Sequence, residues 1–415
     1  MKTIGYRGGR LYIEGVPAQA LAGRFGTPLY VYSRAAILGR YEALRRAFGP
    51  RALVCYALKA NSNGAVCRVL SAQGAGADIV SGGELVRALA AGFPAERIVF
   101  SGVGKTAEEL ALGLRRGVLT FNVESEEELD ALEAAARRLK KRAPVSVRLN
   151  PDVDAGTHPH ITTGRAENKF GVDSRTALAL LERAHKSPWL RVRGVQCHIG
   201  SQITALAPYA RAAASVARMI AALEKKGIGV ELADFGGGLG ISYDGEKTID
   251  AAGLAKTLKA ALKPWPRVRL LVEPGRFLVA DAGALLTTVL YRKRTPRRRF
   301  IVVDAAMNDL ARPALYGAHH PIVPVSKNGK RTVKADVVGP ICESGDFLAR
   351  GRALPPVERG DVLAVLKAGA YGFSMSSQYN SRPRAAEALV AGGGARLIRR
   401  RETIEDLVAR ERGLK

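Results

Sequence analysis

The sequence predicts a mixed fold, α/β plus all-β: a (β/α)8 barrel of the TIM type with a C-terminal antiparallel β domain. Short apolar strands alternate with Ala- and Leu-rich amphipathic helices from about residue 27 to residue 278, and such alternation is typical of a parallel sheet. There are eight strand candidates, the number that closes this kind of barrel. They cover residues 53–59, 77–80, 97–101, 118–122, 145–150, 192–198, 230–235 and 268–273.

The helices between these strands carry boundary signals of their own. Ser125 with Glu128 is a capping box, and Gly227 after Lys225-Lys226 is typical of a helix end. The periodic segments cover residues 83–91, 107–116, 125–140, 174–184, 210–226 and 250–262. Helices of this kind would cover the outside of the barrel and leave the strand ends for function.

Two domains are expected from a chain of 415 residues. The barrel is predicted to span residues 27–278. After about residue 280 the strands follow one another without helices, which indicates an antiparallel β domain. That domain is predicted to comprise residues 1–26 and 279–415, completed by the N-terminal strand and ending in a short helix.

The composition excludes several classes of protein. No apolar run is long enough to span a membrane. Four scattered cysteines (Cys55, Cys67, Cys197 and Cys342) indicate reduced thiols and a cytoplasmic protein. The formal charge of +26 invites a nucleic-acid interpretation. The basic residues are spread along the whole chain without a recognition motif, so we expect adventitious polyanion binding and no specific nucleic-acid partner.

Lys59 is the first candidate catalytic residue. It ends the apolar run that begins at Ala52, where an inward ammonium group is costly unless something uses it. A lysine in a desolvated pocket becomes a nucleophile that forms Schiff bases. Considered alone, the side chain could equally extend to solvent.

Four downstream segments look suited to holding a phosphorylated cofactor against this lysine. His198, before Gly200-Ser201, suggests a flat ring beside a ligand and a hydroxyl near an anion. The run Gly236, Gly237 and Gly238 follows the seventh strand, and Gly275 with Arg276 follows the eighth; loops at these places in a barrel often bind phosphate. Glu273 could pair with a protonated pyridine nitrogen, or with a neighbouring cation for purely structural reasons.

Two loops beyond the barrel complete the candidate set. Cys342, next to Glu343 and near Asp346, could donate a proton, although a cysteine is more often an inert apolar residue. Tyr371, between glycines 369 and 372, could give a hydroxyl to a phosphate or a substrate, or could simply anchor its loop.

Three motifs invite interpretations that we reject. Residues 101–106 resemble the end of a P-loop, but Val99 occupies the required first glycine position, so a helix start is expected there. His158-Pro159-His160 and His319-His320 lack carboxylate or cysteine partners at metal-binding spacing. We therefore predict no metal site.

The chain resembles the pyridoxal-phosphate-dependent decarboxylases of the alanine racemase-like fold, and among them the diaminopimelate decarboxylases. The resemblance rests on Tyr56-Ala57-Leu58-Lys59-Ala60-Asn61, His198-Ile199-Gly200-Ser201-Gln202, Glu273-Pro274-Gly275-Arg276 and Cys342-Glu343-Ser344. The substrate-side segments are Asn168-Lys169-Phe170-Gly171, the stretch from Met307 to Tyr316, and Ala370-Tyr371-Gly372. One departure is Ala306, where the family often has glycine.

The resemblance implies a role for each candidate. Lys59 would hold pyridoxal 5'-phosphate as a Schiff base, His198 would stack on its ring, and Glu273 would face its nitrogen. The phosphate would be surrounded by Ser201, Gly236, Gly237, Gly238, Gly275, Arg276 and Tyr371. The substrate would contact Arg276, Arg312, Tyr316, Glu343 and Tyr371. Cys342 would donate or relay a proton within the partner subunit's site, which implies a homodimer with shared active sites.

The implied reaction is decarboxylation of the small molecule meso-2,6-diaminopimelate to L-lysine and CO2, the last step of lysine biosynthesis. The distal carboxylate of this substrate suits the paired arginines Arg276 and Arg312, and its distal ammonium suits Glu343. Alternatives are a decarboxylase of ornithine, arginine or a carboxylated polyamine, or an amino-acid racemase of the same fold. Two alternatives that are not enzymes are a non-catalytic cofactor carrier and a basic nucleic-acid-binding protein.

Overall fold

The computed structural model describes residues 3–154, 163–164, 167–327, 329 and 331–413. Its chain forms two compact units. The barrel unit comprises Arg40–Ile241 and Lys247–Phe277, and the β unit comprises the residues up to Gly39, Ser242–Glu246 and the chain from Leu278 onward.

The chain begins in the β unit. Strands β1 (Ile4–Arg7), β2 (Arg10–Ile13) and β3 (Val16–Pro17) form a small antiparallel sheet. Helix α1 (Ala18–Phe25) and strand β4 (Leu29–Ser33) follow. Helix α2 (Arg34–Phe48) then leads into the barrel unit.

The barrel unit contains a closed barrel of eight parallel strands, as predicted. These strands are β5 (Leu53–Ala57), β6 (Gly76–Ile79), β7 (Ile98–Phe100), β8 (Thr120–Val123), β9 (Ala143–Arg148), β10 (Leu190–Gln196), β11 (Leu232–Asp234) and β12 (Arg269–Val272). Each overlaps its strand candidate from the sequence. The pairing of β12 with β5, which joins Leu271 to Leu53, closes the barrel.

Helices alternate with the barrel strands. They are α3 (Gly64–Ser71), α4 (Gly82–Ala90), α5 (Ala107–Arg116), α6 (Glu126–Leu139), α7 (Ser174–Lys186), α8 (Leu206–Lys225), α9 (Ala251–Ala261) and α10 (Arg276–Val279). At α6 the Ser125 hydroxyl accepts the N–H of Glu128, but the Glu128 carboxylate accepts the N–H of Glu124 instead of that of Ser125. Only half of the predicted capping box therefore forms.

The β unit resumes after the barrel. Its further elements are β13 (Gly283–Arg294), β14 (Arg299–Val303), α11 (Arg312–Tyr316), β15 (Ile322–Pro324), β16 (Val333–Val338), β17 (Phe347–Leu354), β18 (Val362–Leu366), β19 (Ala386–Ala391), β20 (Gly394–Arg399) and α12 (Ile404–Val408). The main sheet runs in the order β17-β16-β14-β13-β4-β19-β20, and β18 pairs with β13 and β15. Leu29, Val31, Ala284, Leu286 and Ala388 are among the apolar residues of its core.

Two details of this sheet differ from the sequence-based expectation. The sheet is mixed and not purely antiparallel, because β14 pairs with β16 and β4 pairs with β19 in parallel. In addition, β4 belongs to this sheet, so the sequence-based start of the barrel at residue 27 is too early. The strand β4 and the helix after it have the same local sequence pattern as a barrel strand and its helix. The strands that pair with β4 lie far away in sequence, so the pattern alone does not assign β4 to a unit.

No helix in the described part of the chain has both the length and the apolar character needed to cross a bilayer. All four cysteines have free thiols; Cys55, Cys67 and Cys197 are buried, and Cys342 is exposed.

Candidate active site

Lys59 lies on a short 3-10 turn, Leu58–Ala60, immediately after β5. Its Nζ lies 2.6 Å from Oδ2 of Asp78 on β6, and the Lys59 side chain is 36% exposed whereas that of Asp78 is fully buried. The ammonium group is therefore directed by a buried carboxylate and stays accessible to a ligand. Asp78 was not among the predicted site residues; the signal for it was a lone carboxylate within the apolar strand Gly76–Ile79.

Two more buried carboxyl groups lie side by side at the ends of β11 and β12. The charge of Asp234 acts on Glu273, and Gln196 Nε2 donates to Glu273 Oε2 at 3.3 Å. Burial and the charge of Asp234 raise the pKa of Glu273 well above its usual range, and burial raises the pKa of Asp234 to about 6. Both carboxyl groups are therefore harder to ionise than ordinary carboxyl groups.

His198 is a neutral imidazole after β10. Burial, together with the charges of Arg148 and Lys59, lowers its pKa well below the usual range. Its Nδ1 accepts the N–H of Gly237 at 3.1 Å, so the ring proton is on Nε2. An uncharged, oriented ring of this kind is suited to lie against a flat aromatic ligand.

The predicted glycine run packs closely against the neighbouring strand ends. A Cβ on Gly237 would lie 2.2 Å from the backbone oxygen of Glu273. Gly236 has a φ of 64°, and the oxygen of Gly238 accepts the N–H of Ile203 at 2.8 Å. Only glycine permits the approach at position 237, so the backbone itself borders this part of the site.

Arg276 and Ser201 form the other part of the predicted phosphate site. Arg276 is 7% exposed, and its Nη2 donates to Ser201 Oγ at 3.0 Å. Gly275 packs beside the turn that contains Lys59, since a Cβ there would lie 3.0 Å from Cβ of Ala60. A guanidinium, a hydroxyl and a glycine backbone are the groups from which phosphate sites are built.

These groups fit pyridoxal phosphate. Glu273, whose pKa is raised by burial and by the charge of Asp234, offers a carboxyl group that a cationic ring nitrogen would help to ionise. Arg276 and Ser201 offer positive charge and a hydroxyl for a phosphate. Lys59 supplies an accessible amine.

Arg312 is the centre of a buried cluster in the β unit. It is the first residue of α11, and Pro313 follows it as the second. Its Nη1 lies 3.0 Å from the Tyr243 hydroxyl and 2.8 Å from Nε2 of His320. Neither Tyr243 nor His320 was predicted to have a role. His320 was considered only within a rejected metal pair, and Tyr243 has no distinguishing sequence signal.

The Cys342 loop is exposed at its tip and tied down at its base. Asp346 accepts the N–H groups of Met307 and Ile341, each at 2.8 Å. The Cys342 N–H donates to Asn380 Oδ1 at 2.8 Å, and Tyr379 donates its hydroxyl to Glu343 at 2.9 Å. The hydrogen bond to Glu343 raises the pKa of Tyr379. Cys342 and Glu343 thus face solvent on a fixed loop.

The remaining predicted residues also belong to the β unit. Tyr316 ends α11 and is half-buried. Tyr371 is half-buried with a φ of 55°, a value uncommon outside glycine. Lys59, His198 and all the predicted phosphate residues except Tyr371 belong to the barrel unit. Five predicted residues belong to the β unit: Arg312, Tyr316, Cys342, Glu343 and Tyr371.

The P-loop-like segment is a helix start, as predicted. Thr106 and Glu109 form a complete capping box at α5. Lys105 is buried, with its Nζ 2.6 Å from Glu128 and 2.9 Å from the oxygen of Asn122. His158-Pro159-His160 lies outside the described residues, and the described residues contain no cluster of three or more metal-binding side chains.

Comparison with known proteins identifies the family. Residues 34–280 match the family model described as pyridoxal-dependent decarboxylase, pyridoxal binding domain. A protein of Aquifex aeolicus named diaminopimelate decarboxylase is 51% identical over 404 residues, which cover 97% of this chain and 96% of that protein. A protein of the same name from Pseudomonas fluorescens is 51% identical over 413 residues, 99% of each chain.

A solved structure supports the same assignment. The crystal structure of diaminopimelate decarboxylase from Helicobacter pylori complexed with L-lysine matches with a TM-score of 0.92 and 44% identity, covering 95% of this chain and all of that one (100%). Its fold matches that of this chain over nearly the whole length. This chain therefore belongs to the diaminopimelate decarboxylase family of pyridoxal-dependent decarboxylases.

Proposed function

We infer that this chain is a pyridoxal-phosphate-dependent carboxy-lyase that converts meso-2,6-diaminopimelate into L-lysine and CO2, the last step of lysine biosynthesis. Besides the family membership, the inference rests on one structural observation at Lys59. The Nζ of Lys59, accessible at the end of a barrel strand, is held 2.6 Å from the buried carboxylate of Asp78.

The barrel-unit residues have complementary roles toward the cofactor. When bound, pyridoxal phosphate would supply an electron sink for the electron pair left by the departing carboxylate. Lys59 would hold the cofactor covalently, His198 would lie against its ring, and Glu273 would face its ring nitrogen. Arg276, Ser201 and the glycine run bind the phosphate, to which Tyr371 adds its hydroxyl. Opposite a cationic nitrogen, Glu273 would ionise more readily than in the proton-sharing pair with Asp234.

The substrate is recognised by residues that suit its second amino-acid centre. Arg312 and Arg276 bind the distal carboxylate, which guanidinium groups can hold through two hydrogen bonds. Glu343 accepts the distal ammonium group, and Tyr316 and Tyr371 add hydroxyl contacts. Ornithine has no distal carboxylate and would leave a buried guanidinium without its anionic ligand.

We propose that the active enzyme is a homodimer in which Cys342 of one subunit supplies a proton in the partner's site. The support is the exposed tip of the Cys342 loop, which presents Cys342 and Glu343 outward while Asp346 fixes its base. Mixing inactive Lys59→Ala and Cys342→Ala subunits should then restore activity, to about a quarter of wild type after full exchange. Failure to regain activity in mixed dimers would place Cys342 in its own subunit's site.

We further propose a cytoplasmic location. Cys55, Cys67 and Cys197 are buried free thiols rather than disulfide partners, and the substrate is a small metabolite. Thiols of this kind persist in a reducing compartment.

The function is tested by measuring CO2 release from the protein loaded with pyridoxal phosphate. The substrates to compare are meso-diaminopimelate, ornithine, arginine and lysine. Release from diaminopimelate alone, with an equal amount of lysine formed, is the expected result. Release from another amino acid would reassign the substrate, and no release from any would favour a racemase, which chiral analysis of the same samples would detect.

A further inference from the structure

We propose that His320 and Tyr243 are positioning residues: they orient Arg312 for the distal carboxylate and so set the preference for a dicarboxylic substrate. This proposal rests on the function proposed above, and it assigns a task to two side chains that this function does not otherwise use. It follows from the hydrogen bonds around Arg312 within the β unit.

Arg312 is held from two sides. Its side chain is almost fully buried, with 6% of the residue exposed. Nη1 meets both the Tyr243 hydroxyl and His320 Nε2, and the guanidinium carbon lies 4.8 Å from the centroid of the Tyr243 ring. A stacked and hydrogen-bonded guanidinium has far fewer orientations than one on a free side chain.

The tautomer of His320 follows from its neighbours. A guanidinium can only donate, so Nε2 must be the acceptor. The proton is therefore on Nδ1, which lies 3.0 Å from the backbone oxygen of Leu366 at the end of β18. His320 is fully buried, and its ring meets the Tyr243 ring edge-on with centroids 5.3 Å apart. A chain of hydrogen bonds thus links the backbone of β18 to Arg312.

Tyr243 is itself fixed by its turn. The Glu246 carboxylate accepts the N–H of Tyr243 at 2.7 Å and that of Asp244 at 2.6 Å. The Lys367 ammonium donates to the backbone oxygen of Ser242. The hydroxyl that meets Arg312 therefore projects from a rigid segment.

These two contacts orient the charge without cancelling it. Neither a tyrosine hydroxyl nor a neutral imidazole carries negative charge. Both contacts are made to Nη1. The Tyr243 hydroxyl and His320 therefore hold the guanidinium in place without adding negative charge to it.

A matched pair of substitutions separates the two bonds of His320. In His320→Gln the amide oxygen can occupy the position of Nε2 and accept from Arg312. In His320→Asn the amide nitrogen can occupy the position of Nδ1 and donate to Leu366, but nothing reaches Arg312. We expect His320→Asn to raise the KM for diaminopimelate about tenfold with a smaller change in kcat. His320→Gln should stay within about twofold of wild type.

Tyr243→Phe provides an independent variant, because it keeps the ring under Arg312 and removes only the hydroxyl. It should raise the KM about threefold and leave cofactor affinity unchanged.

Inhibition constants provide a second measurement of the role of His320. L-lysine retains one carboxylate, whereas 1,5-diaminopentane has none. His320→Asn should weaken inhibition by L-lysine by the same factor as the KM and leave inhibition by 1,5-diaminopentane unchanged.

The outcomes distinguish the two proposals. A wild-type protein that releases no CO2 from diaminopimelate overturns the proposed function and the positioning role with it. An active wild type whose His320→Asn variant has an unchanged KM overturns the positioning role alone. Equal losses in His320→Gln and His320→Asn, or equal weakening of both inhibitors, would show that His320 acts through packing.

Discussion

Two buried sites of this protein hold a cation in opposite ways. In the barrel unit, the partly exposed Lys59 ammonium faces the carboxylate of Asp78. In the β unit, the buried Arg312 guanidinium is held by the Tyr243 hydroxyl and by His320, two groups without negative charge. A cation that reacts must remain accessible, whereas a cation that recognises an anion needs a fixed direction more than a counter-charge.

The surroundings of the two cations extend this contrast. Asp78, Asp234 and Glu273 are buried carboxyl groups on or after barrel strands, and the pKa of Asp234 and of Glu273 is raised by burial. A ligand that brings positive charge would stabilise the ionised form of these carboxyl groups. The contacts that Tyr243 and His320 make with Arg312 contribute no negative charge, and the proposed ligand of Arg312 is a carboxylate. A cofactor with a cationic ring and a substrate with an additional carboxylate meet these two requirements separately.

The largest effect is expected from Lys59→Ala, which removes the reactive amine. CO2 release should fall by at least about a thousandfold, because the nucleophile is lost. The absorbance band of the lysine-bound cofactor should disappear at the same time. The exposed Lys225 at the end of α8 supplies the control, since Lys225→Ala should behave as wild type. A band that persisted unchanged in Lys59→Ala would refute the assignment.

Arg312→Ala should have a smaller effect on a different step. Loss of the guanidinium should lower kcat/KM for diaminopimelate about a hundredfold, because a charge-assisted contact to the distal carboxylate is removed. Cofactor affinity should remain within about twofold of wild type. Arg292→Ala removes an exposed arginine paired with Glu358 in the same unit and should change neither quantity. Equal losses of turnover and cofactor affinity would identify Arg312 as structural.

The sequence predicted the barrel well because each strand and the helix after it carry their own local signals. Lys59, His198, Glu273 and Arg276 became candidates because each follows an apolar strand, where a polar side chain is conspicuous. Strand ends of a parallel barrel share one face, so these residues could be grouped without knowledge of their contacts.

The partners of these residues were harder to predict. Asp78 lies inside a strand, where a single carboxylate looks like part of an ordinary polar face until barrel closure buries it. Tyr243 lies far from Arg312 in sequence, and only the folded chain brings the two together. The position of β4 was also mispredicted, because its parallel pairing with β19 joins segments that are distant in sequence and produces no local sequence pattern.

Gly237→Ala tests whether the barrel site depends on close backbone approach. The new Cβ would lie 2.2 Å from the backbone oxygen of Glu273, a contact that only a backbone shift can relieve. We expect a loss of about 2–3 kcal/mol in the free energy of unfolding and weaker cofactor binding. Gly104→Ala is the matched loop control, since nothing lies within 4 Å of its Cβ position. Denaturant titration of both variants would measure their free energies of unfolding. Equal values for the two variants would contradict a close contact at position 237.

Glu273→Gln should stabilise the cofactor-free protein, by an amount that grows with pH. Burial and the charge of Asp234 raise the pKa of Glu273 well above the ordinary value of 4.5. The folded protein therefore retains a proton that the unfolded chain releases above about pH 4.5, and folding becomes less favourable as pH rises through this range. Glutamine cannot ionise, and its amide can still donate to Asp234. Urea titrations at pH 5 and pH 8 should show a gain on the order of 1 kcal/mol at the higher pH. A gain that is the same at both values would show that the barrel carboxyl pair holds no extra proton, and the contrast with the Arg312 cluster would then be one of geometry alone.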